Sequence, residues 1–390
     1  MFITHEENYF VDDTPSFYRM YTNLMYFHNH EDFNVIVLQN DRERKREKSS
    51  LKKSIKVYHY RDVRLFRIRF VQFLDFNPFF ISKVLKILKK HQIDLIHVDF
   101  CFGINVLKIL TKIPICYNSY NVEAIYYEII GKNYYKIPIF LRKFFAKYIY
   151  YVEKFAIKHA KIMNAFSYDD VRDFIHIYNI PKRKIFVNRM GYKEDIFNNP
   201  LVKENARQKL NVEINKFIVV FHGNYYTSVS NQKAVKIIRD QISSQIEDKE
   251  ILFLIAGKMP PLRNKKNLRF MGFVKDLKTF LYSADIAIVP IFQGSGIRTK
   301  IIDYLSAKIP IITTKQGLKG LSFLNNVHGF IVSDLNPIED MIKKILELKN
   351  NSKKIDEFKE NIENLLALHY NWDEIHKVLE KKYKEIIENG

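Results

Sequence analysis

The residues best equipped for chemistry crowd into one stretch, GSGIRTKIIDYLSAKIPIITT, residues 294–314. Gly294 and Gly296 allow backbone to come close to an oxyanion with no side chain in the way. Arg298 offers a planar fork of donors that matches phosphate oxygens, and Lys300 adds a mobile point charge. A helical pattern starts near Arg298 or Thr299, and the free N–H groups of a helix start carry partial positive charge. Asp303, one turn on, can accept hydrogen bonds from a vicinal diol such as a ribose. Together these groups make a seat for a sugar–diphosphate unit. A glycine loop before a helix is also a common way to turn a chain, but the added Arg, Lys and Asp favour the phosphate site.

Such a seat needs a strand to deliver the loop and a sheet to hold the strand. Apolar runs alternate with amphipathic ones along the whole chain. Residues 33–40, 93–100 and 113–120 read as buried strands, with a helix at 78–91 between the first two, and RKIFVNRMG, 183–191, reads as the last strand of this half. Residues 216–223, 250–257, 267–273, 284–291 and 309–314 repeat the scheme, with helices at 231–243 and 274–284. Strands alternating with helices give parallel sheets covered on both faces, and ligands bind at the carboxyl ends of such strands. The strands are too many for one ordinary sheet, so the expectation is α/β with two domains: 1–198, joined by a final helix 371–390, and 199–370.

Bulk properties narrow the function classes. The chain of 390 residues is 47% hydrophobic, enough for two cores. Cys101 and Cys116 have neither metal-ligand nor disulfide spacing, which favours a reducing compartment. The opening MFITHEENYF lacks the basic start and apolar run of a secretory leader, and no run approaches the ~20 apolar residues of a membrane helix. A cytoplasmic protein is expected, with a peripheral seat on the inner face of a membrane as a further option. The net charge of +20 suits an anionic partner or reflects a lysine-rich composition. The segment 42–69 holds 12 basic and 3 acidic residues; a solvated loop and edge strand is its default reading.

The segment 290–321, PIFQGSGIRTKIIDYLSAKIPIITTKQGLKGL, resembles the donor-binding signature of GT-B-fold glycosyltransferases, and more narrowly the retaining family called glycosyl transferases group 1, or family 4. The resemblance implies two Rossmann-like domains facing a central cleft, with a C-terminal helix that crosses back to the first domain. Trp372 would anchor that helix. It further implies that Gly223, in FHGNYY, lies under the diphosphate, that the backbone of Phe273 and Val274 borders the base, and that Asp303 binds the ribose. Gly294, Ser295, Gly296, Ile297 and Thr299 complete the donor loop. The Arg that often follows the glycine turn is here Asn224, so Arg298 and Lys300 are inferred to supply the charge. Ser295 stands where many members carry a Glu near the transferred sugar. In the first domain, PICYNSYNVEAIYYE resembles a family segment of form Asp-x-His-Asn-x-Glu, with Asn121 and Glu123 kept and Tyr120 in place of the His. Tyr can donate a hydrogen bond but cannot carry a proton at neutral pH as His can. Pro15, Ser16 and Arg19 occupy the place of the acceptor-side glycine loop, where Arg19 reads either as a holder of an acceptor phosphate or as an ordinary surface residue.

The resulting expectation is a retaining, hexosyltransferase-like enzyme. Arg298, Lys300 and Tyr120 would act in catalysis on a nucleotide sugar and a glycan or lipid-linked acceptor, in surface polysaccharide or glycan assembly. No Asp-x-Asp motif or metal-ligand spacing appears, so neither metal nor other cofactor is expected. Two alternatives stand beside it: a catalytically weak nucleotide-sugar-binding partner subunit, and a basic nucleic-acid-binding protein, which the absence of any reading motif disfavours. The segment 135–162 carries seven basic residues and one acid, with Phe140, Phe144, Tyr148, Tyr151 and Phe155 at helical spacing. A core-facing stripe is the default explanation; a helix lying on anionic lipid is the other.

Overall fold

The computed structural model describes residues 1–5, 8–10, 17–41, 44–48, 50, 54–61, 77–133, 139–226, 228–294 and 296–389; the side chains of 129–133, 139–142 and 145 are outside this description. The chain divides into two compact units, Met1–Met190 with Asp373–Gly390, and Gly191–Trp372. The division falls at Met190/Gly191 and Trp372/Asp373, where the sequence suggested 198/199 and 370/371.

Unit 1 is built on seven strands: β1 (Phe2–Thr4), β2 (Ile36–Asn40), β3 (Lys56–Tyr60), β4 (Ile96–Asp99), β5 (Ile115–Asn118), β6 (Ile162–Ala165) and β7 (Ile185–Val187). Their order is β3-β2-β1-β4-β5-β6-β7, and every pairing is parallel. Unit 2 has β8 (Phe217–His222), β9 (Ile251–Ala256), β10 (Leu268–Gly272), β11 (Ile286–Val289), β12 (Ile311–Thr313) and β13 (Gly329–Ile331). Their order is β10-β9-β8-β11-β12-β13, also parallel. Both sheets are Rossmann-like. The order reverses beside the first strand of each, between β1 and β4 and between β8 and β11, which is where open α/β sheets leave a crevice at the carboxyl ends.

Local sequence explains the elements. All six residues of β9 are buried, as a strand covered on both faces requires. The helix Pro78–Lys90 starts on a proline whose missing N–H costs nothing there, and the Asn77 side chain accepts from the N–H groups of Phe79 and Phe80. The last helix, Trp372–Glu388, buries Ile375, Leu379, Tyr383 and Ile386 at three- and four-residue spacing. From Asp373 onward it belongs to unit 1: His376 stacks on Tyr26 at 4.4 Å, and Tyr383 on Phe27 at 5.1 Å. Trp372 itself is assigned to the other unit. It closes unit 2, where its Nε1–H donates to the Tyr192 carbonyl at 2.8 Å and its ring covers Gly191 so closely that a Cβ there would overlap it.

The helix Ile139–His159 overturns the default reading for three of the five aromatics singled out in the sequence; Tyr148 is half-buried, and the Phe140 side chain lies outside the described residues. Ile149, Val152, Ala156 and Ile157 are buried, whereas Phe144, Tyr151 and Phe155 are 68%, 46% and 49% exposed. The single acid decides the facing. Glu153, fully buried on the aliphatic side, accepts from the N–H groups of Glu123 (3.1 Å) and Ala124 (3.2 Å), and from the Tyr117 hydroxyl (2.9 Å). It thereby satisfies the open start of the helix Glu123–Asn133. Burial raises its carboxyl above the ordinary range, against the pull of these donors.

Candidate functional site

In unit 2 the crevice beside β8 and β11 gathers most of the residues singled out in the sequence. β8 ends at His222, and Gly223 makes the turn. A Cβ on Gly223 would stand 2.7 Å from Asn231 Nδ2 and 2.8 Å from Lys300 Nζ. Behind it Gly257, at φ +139°, presses so close that a Cβ there would fall on the Gly223 carbonyl oxygen. The turn is thus floored by glycine on both sides, and Lys300 reaches it from the helix Thr299–Ser306.

Lys300 is 9% exposed. Its ammonium donates to Asn231 Oδ1 at 2.6 Å and lies 4.0 Å over the Phe221 ring. Burial, and then the charge of Arg298, push its pKa down from 10.5 to about 7, with Asp303 pulling the other way. An ammonium held with one neutral oxygen and a ring face is poorly compensated, so an incoming anion would be its natural partner.

Arg298 is the residue before the helix, with φ −87° and ψ 89°. Its Nη2 points to the Gln293 carbonyl at 3.4 Å and lies against Gly294, whose φ of +135° leaves no room for a Cβ. The loop is tied from outside: Ser230 donates to the Gln293 carbonyl (2.7 Å) and Gln316 to that of Gly294 (2.7 Å). Gly296, at φ +71°, also needs the left-handed region. Ile297 and Thr299 are half-buried beside it. Ser295 lies outside the described residues.

Asp303 is buried with both oxygens engaged, one by Lys193 Nζ at 3.1 Å and the other by His222 Nε2 at 3.0 Å. Burial alone would raise its pKa; Lys193 and His222 outweigh that and hold it at about 2. Burial lowers the His222 pKa below the ordinary imidazole value, against the pull of Asp303. The carboxylate expected to face a diol therefore holds two neighbours, Lys193 and His222, in place. Phe273 is exposed after β10 with Lys258 5.5 Å over its ring, and Val274 packs against the core.

Unit 1 departs further from expectation. Arg19 is fully buried, neither a surface residue nor open to an acceptor. Its guanidinium donates to the Ser119 carbonyl (3.0 Å), Asn164 Oδ1 (2.9 Å) and the Asn188 carbonyl (2.9 Å), and lies 4.0 Å over the Phe166 ring. It joins the ends of three strands, β5, β6 and β7. Tyr120 is buried as well. Its hydroxyl donates to Asp99 (2.9 Å) and accepts from Asn118 (2.9 Å), while its ring stacks on Phe100. The hydroxyl thus faces the interior of unit 1 in this conformation. Asp99, deep in that cluster, also accepts from Tyr9 and contacts His97; burial would raise its pKa, but these partners bring it below the ordinary value. Asn121 is half-buried, and its carbonyl accepts from Ser119 (2.7 Å). Glu123 is buried at the start of its helix. Pro15 and Ser16 lie outside the described residues.

Sequence reasoning missed Asn231, His222 and Lys193. His222 carries a readable signal, a polar residue ending a buried strand; Asn231 is an ordinary helix-start residue, and Lys193, in a connecting loop, carries none. For a metal, the described residues offer one group with ligand atoms within 4.8 Å of one another, His30, Asp32 and Glu380. Lys384 already bridges its two carboxylates at 2.6 and 2.8 Å.

Two family models match the chain: Glycosyltransferase Family 4 over residues 25–193 and Glycosyl transferases group 1 over residues 216–351. No curated protein matches by sequence. Among solved structures, a sucrose-phosphate synthase from Thermosynechococcus elongatus superposes with a TM-score of 0.77 at 13% identity over 100% of both chains. Anabaena HepE in complex with UDP-glucose gives 0.68 at 13% identity, over 98% of this chain and 99% of that one. WaaG, a glycosyltransferase involved in lipopolysaccharide biosynthesis, gives 0.68 at 14% identity over 99% of each. At such identities the likeness is one of fold, and that fold is GT-B.

Proposed function

The chain belongs to the glycosyl transferases group 1 family, and on that footing we propose that it moves a hexose-like sugar from a nucleoside diphosphate to a hydroxyl of a glycan or lipid-linked acceptor, with retention at the anomeric carbon. The observation that carries the reading is the Gly223–Asn231–Lys300 cluster at the β8/β11 crevice, with Arg298 at the mouth of the same helix. A bare glycine turn under a poorly compensated ammonium suits a diphosphate. Arg298 and Lys300 would stabilise the negative charge that grows on it as the sugar leaves. The acceptor oxygen bonds to the anomeric carbon as the bond to the phosphate oxygen breaks, and the hydroxyl proton passes to the departing diphosphate. Attack from the face the diphosphate leaves gives retention without an enzymic nucleophile.

The donor base is assigned to the strip beside Phe273 and Val274, and the ribose to the neighbourhood of Asp303. Two fixed cations supply the charge that a metal supplies elsewhere, so turnover should survive chelation by EDTA. That the HepE and WaaG structures, of the same fold, concern UDP-glucose and lipopolysaccharide supports a role in surface-glycan assembly at the inner face of a membrane.

The test begins with a thermal-shift screen of nucleotide sugars, since a bound donor raises stability by mass action. With the donor so found, Arg298→Ala should lower turnover by roughly one to three decades. Unchanged turnover would remove Arg298 from the reaction. One observation favours a second reading, a nucleotide-sugar-binding subunit without transfer activity: the inward hydroxyl of Tyr120. Donor binding without product from any acceptor would select it.

A further inference from the structure

One concavity of unit 1 lies away from the carboxyl ends of its strands. It is a cavity of about 970 Å³ at the opposite edge of the sheet, formed by the loops that lead into β5, β6 and β7. Lys108 and Lys112 line it from one side, Lys154 and Lys158 from the helix Ile139–His159, and Lys161, Arg183 and Lys184 from the remaining loops. No carboxylate is among its lining residues.

Helix ends account for part of this charge. The helices Ile104–Leu110, Ile139–His159 and Tyr168–Tyr178 all finish at this edge, and a helix C-terminus carries about half a negative charge. Lys184 serves that purpose directly, donating to the Lys158 carbonyl at 2.7 Å. Three such ends offset between one and two of seven cations; among the described residues no carboxylate pairs with the rest. Beside it runs the outward stripe of the same long helix. Phe144, Tyr151 and Phe155 fall on one face, about 16 Å from end to end at 1.5 Å per residue, with Lys147, Lys154 and Lys158 exposed along its flank. Tyr151 and Phe155 also line the cavity.

We propose that the cavity and the stripe together form a docking surface for anionic phospholipid: phosphate-bearing head groups enter the cavity while Phe144, Tyr151 and Phe155 sink into the interfacial layer. A soluble phosphate would satisfy the lysines and leave the three aromatics in water. A lipid surface takes both, and aromatics flanked by cations are the composition that such a surface holds. The proposal does not depend on the transfer reaction, because the surface lies at the edge of unit 1 remote from its strands' carboxyl ends.

The test is sedimentation of the full chain with vesicles of phosphatidylcholine alone and of phosphatidylcholine with phosphatidylglycerol, at low and at raised salt. Salt-sensitive binding to the anionic vesicles is expected. Each cation near such a surface contributes about 1 kcal/mol, so Lys154→Gln with Lys158→Gln should weaken partition roughly 30-fold. Tyr151→Ser with Phe155→Ser should also weaken it, with the net charge unchanged. All four side chains are exposed, so the variants should melt with the parent. Lys343→Gln with Lys353→Gln, exposed lysines of unit 2, makes the same change in net charge and should bind like the parent. Equal weakening by that control overturns the proposal, as does equal binding to both vesicle types or no binding to either. Inorganic pyrophosphate that shields the cavity lysines from acetylation as well as vesicles do would make this a soluble-anion site and overturn the lipid assignment. So would retention of duplex DNA, dependent on Lys154 and Lys158, by a protein that ignores vesicles.

Discussion

Lys300 should take up a proton when a diphosphate binds. In the ligand-free protein its pKa lies at about 7, against an ordinary 10.5. At about 1.4 kcal/mol per pH unit, keeping the buried ammonium charged costs about 5 kcal/mol. A phosphate charge 4 Å away returns about 4 kcal/mol at an effective dielectric constant of 20. The two are comparable, so a diphosphate at the Gly223 turn can bring the pKa most of the way back. At pH 8 the free lysine is then about one-tenth protonated and the bound one almost wholly so, an uptake of about 0.9 proton. Above pH 7 affinity should therefore fall by up to tenfold per pH unit. Calorimetric titration of the nucleoside diphosphate chosen by the thermal screen, in two buffers of different ionisation enthalpy, reads the uptake directly. It belongs at pH 8, above the last phosphate ionisation near pH 6. Lys300→Met should abolish the uptake and weaken binding roughly 10- to 100-fold, the loss of a hydrogen bond to a charged group. Binding at pH 8 with no buffer dependence, equally strong in the variant, would refute the placement of the diphosphate at Lys300. The ligand-free protein adds a check of sign. Between about pH 7 and 10.5 the unfolded chain holds a proton on this lysine that the folded chain lacks, so its contribution to stability grows as pH rises through that window.

Arg19→Met should destabilise the fold by about 3–5 kcal/mol in urea titration, because three buried acceptors lose their donor; a stable variant with a raised acceptor KM would restore the acceptor-site reading. Gly257→Ala should cost about 3 kcal/mol or more, since a Cβ at its positive φ is strained and overlaps the Gly223 carbonyl; a variant with parental melting temperature and donor affinity would show that the turn is not tightly floored.

The sheets of both units were legible because buried parallel strands are written as short β-branched runs, as in IVVFH and ILFLIA. The strands that escaped notice are β1, β6 and β13, of three or four residues each. So short a run shows no periodicity. Half-exposed β3 was legible only as an edge strand within the charged segment, because a sheet edge does not demand apolar residues. The glycine loop before the helix Thr299–Ser306 was legible for a different reason: glycines at positive φ and cations before a helix are local requirements. Side-chain direction was not. Whether Arg19 points out or in depends on acceptors at Ser119, Asn164 and Asn188, far along the chain. The helix Ile139–His159 offers two apolar faces, and the choice between them turns on Glu153 meeting the start of a neighbouring helix. The Asp303 carboxylate likewise turns on Lys193, which no local pattern links to it.

Unit 2, Gly191–Trp372, is continuous in sequence, whereas unit 1 receives its last helix only from Asp373 onward. On the ribosome the order of completion follows. About 180 residues separate the two parts of unit 1, which at 5–20 residues per second means a wait of roughly 10–40 s. Throughout that interval Tyr26, Phe27 and His97 lack the cover that His376 and Tyr383 later provide. The nascent chain therefore carries an open aromatic groove while unit 2 is free to finish, and that groove is a natural point of chaperone contact. A fusion or truncation at the C-terminus should accordingly harm unit 1, whose strands are made first, and spare unit 2, to which it is adjacent in sequence.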